Sequence, residues 1–153
     1  MDELKATDLK KFLVFKLGKE EYGIDIQKIT TIIEKDMNFA RVPKTPAFLK
    51  GVINLRGEII PVIHLRIKFG LPDIEDSEET RVVIINMGEI VVGLIVDAVA
   101  EVIELGEESI ENVTNFGAVL SAEYLLGVGK IDGRIVTLLN LEKLINLSEN
   151  DSM

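Results

Sequence analysis

The sequence predicts a mainly β protein built from two related lobes, and three observations carry that prediction. Isoleucine and valine crowd into short runs closed by glycine or proline, as strands of a packed sheet require. Two blocks of sequence recur along the chain at nearly constant shifts. The 153 residues are 47% hydrophobic and contain no cysteine, so a core must form by apolar burial without disulfide support.

Taken in order, the apolar runs place strands at 12–17, 21–24, 51–55, 58–65, 81–87, 90–96 and 134–139. Between the second and third, Ile26, Ile29 and Ile33 follow an i, i+3, i+7 stripe that predicts a short helix. Residues 46–49 predict another, with Pro46 suited to a first helical turn, and 141–145 a third. The stretch 71–80, LPDIEDSEET, is acidic and turn-rich and reads as a surface linker dividing two apolar halves. The polar ends, 1–10 and 148–153, are expected to be flexible.

The repeat is the most informative pattern. Residues 17–26, LGKEEYGIDI, align without a gap on 87–96, MGEIVVGLIV, and the same shift of 70 carries Ile29 onto Val99, Ile33 onto Ile103 and Glu34 onto Glu104. Residues 51–60, GVINLRGEII, align on 127–136, GVGKIDGRIV, at a shift of 76 that also brings Leu65 onto Leu141. Both glycines coincide in each block. The second block holds a two-residue hairpin signal in each copy: Arg56-Gly57 and Asp132-Gly133. Aspartate tolerates the positive φ of a type I′ turn, whereas arginine is a poorer choice, so a long cation kept at the tip points to a partner.

Composition and motifs exclude most chemistry. Seventeen basic against 26 acidic residues give a net charge of −9, which repels a phosphate backbone and argues against nucleic acid. The segment 127–132 starts like GxGxxG but has Asp132 in the third glycine position and leads into a strand. A calcium loop counted from Asp73 would need glycine and a bidentate carboxylate where Glu78 and Ile84 stand. His64 is the only histidine, with no second one to share a metal, and its alternation with Val62 puts it on a sheet face or in a hydrogen-bonded, partly buried position. Ser109, Ser121, Ser148 and Ser152 lie in no GxSxG elbow, and nothing sets Lys44 or Lys130 apart. Asp25 and Asp97 are read as caps of short helices. No catalytic residue, metal ligand or cofactor site is expected. The charged start excludes a secretory signal, and no apolar run reaches the roughly 18 residues of a membrane span. Two sets, Ile26/Ile29/Ile32 and Val96/Val99/Val102, are core residues or the walls of a groove between two short helices, which suits an amphipathic helix.

The blocks FLVFKLGKEEYGIDI (12–26) and TPAFLKGVINLRGEIIPVI (45–63), followed by VVGLIVD (91–97), EYLLG (123–127) and EKL (142–144), resemble the CheW-like family of bacterial chemotaxis coupling proteins over nearly the whole chain. The resemblance implies two five-stranded, SH3-like β-barrels sharing a hydrophobic core, with a few short helices, in a single CheW-like domain over 1–153. The lobes are expected at 12–72 plus the C-terminal helix 141–147, and at 80–140. It also implies an adaptor and not an enzyme. One face would bind the regulatory domain of the histidine kinase CheA and another the cytoplasmic tip of methyl-accepting chemotaxis proteins, in the cytoplasm at receptor arrays on the inner face of the membrane, without direct membrane insertion. Matched by position, the receptor-side candidates are Ile29, Thr31, Ile32, Gly51, Arg56, Gly93, Val99 and Val102, and the kinase-side candidates are Phe39, Arg41 and Val42. Thr31 and His64 depart from common family choices, which bears on partner preference. Two other readings stand beside this one: a coupler of a non-flagellar chemosensory pathway, and a small-ligand sensor or enzyme using His64 and nearby carboxylates in a cleft between the lobes.

Overall fold

A computed structural model describes residues 9–34, 39–111 and 124–145. Eleven strands account for most of them: β1 (Lys10–Leu17), β2 (Glu20–Asp25), β3 (Ile29–Glu34), β4 (Leu49–Leu55), β5 (Glu58–His64), β6 (Arg81–Asn86), β7 (Val91–Val96), β8 (Ala98–Leu105), β9 (Ile110–Glu111), β10 (Leu125–Ile131) and β11 (Arg134–Leu139). Two one-turn helices, α1 (Leu65–Lys68) and α2 (Leu141–Leu144), follow β5 and β11. The fold is mainly β, in two barrel-like lobes with a few short helices, as the sequence predicts.

Two compact units result: the described residues up to Gln27 with Val99–Leu144, and Lys28–Ala98 with Ile145. The first unit holds a sheet in the order β8-β1-β2-β11-β10-β9, the second β3-β6-β7-β5-β4. Apart from the two-residue β9, each sheet has the five strands expected. Each unit has its own buried cluster: Phe12, Val14, Ile103, Leu105, Val136 and Leu138 in the first, and Ile53, Ile60, Val62, Val82, Ile84 and Ile95 in the second. At about 25 cal/mol per Å² of apolar surface removed from water, such clusters are the main force holding each sheet.

The sequence repeat is also a repeat of pairing. Gly23 lies opposite Leu138 in the parallel β2–β11 pair, and Gly93 opposite Val62 in the parallel β7–β5 pair; both pairs of residues are related by the shifts of 70 and 76. A Cβ at Gly93 would approach Val82 Cγ1 to 2.8 Å, and one at Gly23 would approach Leu138 Cδ2 to 3.0 Å. Gly51 and Gly127 each follow a bulge where another backbone crosses closely. A Cβ would come 2.6 Å from the Ala40 carbonyl oxygen at the first and 2.7 Å from that of Glu111 at the second. Even single bonds recur: His64 N donates to Phe48 O and Asn140 N to Tyr124 O, each at 2.7 Å.

Four expectations need correction. The Ile26/Ile29/Ile33 helix is a 3₁₀ turn, Ile26–Lys28, followed by β3. A four-residue spacing satisfies a helix and a strand alike, and the β-branched run ITTIIE, with Ile29, Thr31 and Ile33 half-buried and Thr30, Ile32 and Glu34 exposed, obeys the strand period. Val99 and Val102 likewise belong to β8, so no pair of short helices walls a groove. Residues 46–49 form a single turn, with Leu49 N donating to Pro46 O at 3.0 Å before β4 begins. The lobes at 12–72 plus 141–147 and at 80–140 are not the units observed. Strands β1 and β2 pair with β8 and β11 in the first unit, while β3, next along the chain, pairs with β6 in the second. Each half of the sequence contributes strands to both sheets. Of the ends expected to be flexible, all but Leu9 and Lys10 lie outside the described residues, and Lys10 already opens β1.

Candidate functional site

The β4–β5 hairpin is the most distinctive exposed feature of the second unit. Leu55 pairs with Glu58, leaving Arg56 and Gly57 as a two-residue loop with φ of 54° and 85°. These are the angles of a type I′ turn, in which a non-glycine residue stands in the left-handed region at a cost of roughly 1 kcal/mol. Gly57 N donates to Asn54 Oδ1 at 3.0 Å and closes the tip. Arg56 is exposed and makes no ion pair among the described residues. On β5 next to it, Ile59 is 62% exposed.

The other receptor-side candidates fall into three groups. Ile32 points outward from β3, an edge strand of its sheet, while Ile29 and Thr31 are half-buried on the opposite face. Val102 is exposed and Val99 half-buried on β8, an edge strand of the first unit, at positions related to Ile32 and Ile29 by the shift of 70. Gly51 and Gly93 are buried and present no surface. Gly51, at φ 151° and against Ala40, lets the segment before β4 pair with it through Ala40 and Val52. Gly93 admits the side chains of Val82 and Val62 into the core.

Of the kinase-side candidates, Phe39 packs on the second unit's core, and Arg41 and Val42 are exposed in the loop that follows. Gly51 of the receptor-side set sits against this segment, with Phe39 Cβ 3.5 Å from where its own Cβ would be.

His64 is buried, and its Nε2 lies 3.1 Å from Asp73 Oδ1, the hydrogen-bonded position that the sequence allowed. Two residues on, Arg66 is also buried. Its Nε and Nη2 donate to the Asp97 carboxylate at 3.0 and 2.6 Å, and Nη1 donates to Pro72 O at 2.8 Å. The Asp97 hydrogen bonds hold the Arg66 guanidinium even more firmly protonated than usual, against the opposing effect of burial. Together these contacts pin the start of the acidic linker to β5 and α1. The hollow beside them, about 30 Å³, has room for little more than a water, so His64 acts there as a structural strap. Asp25 accepts from Gln27 N at 2.9 Å and caps the 3₁₀ turn as expected, but Asp97 precedes a strand and serves Arg66 instead.

A twice-repeated β fold, whose distinctive exposed groups are a cation in a glycine conformation and apolar side chains on edge strands, defines a binding module. Comparison with known proteins specifies which. The CheW-like domain family matches residues 11–149. The chain is 44% identical over 140 residues to the chemotaxis protein CheW of Klebsiella aerogenes, spanning 92% of this chain and 84% of that protein. It is 35% identical to the CheW of Helicobacter pylori, spanning 90% and 82%. The crystal structure of the scaffolding protein TtCheW from Thermoanaerobacter tengcongensis matches with a TM-score of 0.83 at 37% identity, covering 91% of this chain and 94% of that one. The chain belongs to the CheW-like family.

Proposed function

We propose that this chain is a chemotaxis adaptor that binds the cytoplasmic tip of methyl-accepting chemotaxis receptors and the regulatory domain of the histidine kinase CheA together, in the cytoplasm at the inner face of the membrane. It works by binding alone. Holding two partners at once raises the effective concentration of each for the other, and a receptor's conformational bias then shifts the kinase equilibrium without a covalent step.

The observation that carries this reading is Arg56, which occupies the family's GVINLRG block and stands exposed in a conformation that glycine would adopt more cheaply. On the receptor side, Arg56 sets register, and Ile32 and Val102 supply apolar contact on the two edge strands, with Ile29, Thr31 and Val99 beneath them. Gly51 and Gly93 serve this side by shaping the sheet. Phe39, Arg41 and Val42 face the kinase.

Co-sedimentation with receptor bundles and with the isolated kinase regulatory domain tests the proposal. Wild type should be captured by both, and Arg56→Glu should lose receptor capture by about tenfold while keeping kinase capture. A wild-type chain that binds neither partner overturns the reading.

A further inference from the structure

Among the described residues only three that are not glycine have positive φ: Lys44, Arg56 and Asp132. Asp132 is a residue that tolerates this conformation; the other two are long cations for which it is strained. Lys44 is therefore set apart by the same sign as Arg56, at φ 61° in a turn after Pro43 that Thr45 Oγ1 braces by donating to Val42 O at 2.8 Å.

Lys44 does not stand alone. It lines a hollow of about 200 Å³ together with Arg41, Val42, Pro46, Leu49 and Lys50. Lys50 Nζ lies 5.9 Å from the centre of the Phe39 ring, so an aromatic face holds one more of the lining cations. In a chain of net charge −9, residues 37–57 contain four basic residues and not one acidic residue. A hollow lined by three cations, Arg41, Lys44 and Lys50, one of them in a strained turn, and by the apolar side chains of Val42, Pro46 and Leu49 is complementary to an acidic surface that also carries apolar groups.

We infer that this hollow is the kinase-facing site and that it takes an acidic segment of the kinase regulatory domain, with Lys44 and Arg41 as its charged contacts and Val42, Pro46 and Leu49 as its apolar contacts. The inference rests on the reading above that residues 39–42 face the kinase, and it adds the chemistry of the matching surface.

Titration calorimetry of the chain against the isolated regulatory domain, at low and at raised salt, tests it beside receptor capture as a control. Wild-type affinity should fall as salt is raised, because the rim charges are exposed and screened. Lys44→Gly should bind the kinase domain about threefold more weakly and yet melt at the same or a higher temperature, since glycine adopts the turn without strain. Arg41→Glu combined with Lys44→Glu should weaken kinase binding about tenfold or more and lose most of the salt dependence, with receptor capture unchanged. Wild-type affinity for the kinase domain that is indifferent to salt, or unaltered in these variants, overturns the inference and leaves the adaptor reading standing. A wild-type chain that captures receptor but no kinase domain overturns the kinase side of that reading, and this inference with it.

Discussion

The β4–β5 and β10–β11 hairpins are built on matching blocks of sequence and share the same turn, yet they handle charge in opposite ways. At the tip of β10–β11, Lys130 pairs with Glu111 at 2.7 Å, and Arg134 lies 2.6 Å from a Glu101 oxygen and 3.2 Å from one of Glu21. The positions related to Lys130, Asp132 and Arg134 in the other hairpin are Asn54, Arg56 and Glu58. There Arg56 and Glu58 make no ion pair among the described residues. One hairpin is neutralised by its own unit, and the other keeps its charge for something outside. Ile59 and Ile135, related by the same shift, are both exposed, at 62% and 59%, so exposed apolar surface is common to the two copies and charge is what tells them apart.

That contrast can be broken or sharpened by substitution. The largest effect is expected at Asp97, which is confined to the second unit. Asp97→Ala leaves the Arg66 guanidinium buried without its carboxylate and should lower stability by about 3–5 kcal/mol in chemical denaturation, whereas Gln27→Ala, at the related position, should change it by less than about 0.5 kcal/mol. Next come the bulge glycines. Gly51→Ala meets both a positive φ and the Ala40 carbonyl and should cost about 2–4 kcal/mol; Gly127→Ala, without the positive φ, meets the Glu111 carbonyl and Ile110 Cγ2 and should cost about 1–3 kcal/mol. At the tips, Asp132→Arg should leave receptor capture unchanged, since the neighbouring charges of that hairpin are already paired. Arg56→Gly should raise stability by about 0.5–1 kcal/mol while losing receptor capture, a separation of folding from binding that thermal melts and co-sedimentation read independently. The smallest effect concerns Tyr22, whose place in the second unit is taken by Val92. Burial, then the charge of Glu20, pushes its phenol above the usual tyrosine value of 10.0. The unfolded chain therefore ionises first, and the stability this group contributes is present below pH 10 and lost as pH rises above it. Tyr22→Phe should flatten that part of the pH profile.

Much of the fold was legible because strand runs and turn pairs are local signals. The Arg56-Gly57 and Asp132-Gly133 turns were readable from two residues each, and the glycine coincidences marked the repeat, while the close approaches at Gly23, Gly51, Gly93 and Gly127 came only with the structure. What escaped was short or long in range. Helix α1 is one turn, too brief to show a period, although its relation to α2 was already visible in the match of Leu65 to Leu141. Ile29 and Ile33, four apart, fit both periods, and only the β-branched residues between them favoured the strand. The Arg66–Asp97 pair spans 31 positions, and no spacing rule links residues so far apart. Lys44 was passed over because its turn contains no glycine to flag it; Pro43 before it was the available sign. Of the candidate site, Arg56 stood where the hairpin argument put it, while the burial of Gly51 and Gly93 needed coordinates.

The assignment of strands to sheets has a practical meaning for anyone who would cut this chain. A break in the acidic linker yields one fragment with β1 to β5 and another with β6 to β11, and neither holds a whole sheet: the first unit draws β1 and β2 from one fragment and β8 to β11 from the other, and the second unit draws β3 to β5 from one and β6 and β7 from the other. The two pieces are expected to stay unstructured apart and to regain a fold on mixing. This makes the 71–80 segment a natural place to split the protein into a two-part reporter, whose signal would follow reassembly of both sheets at once.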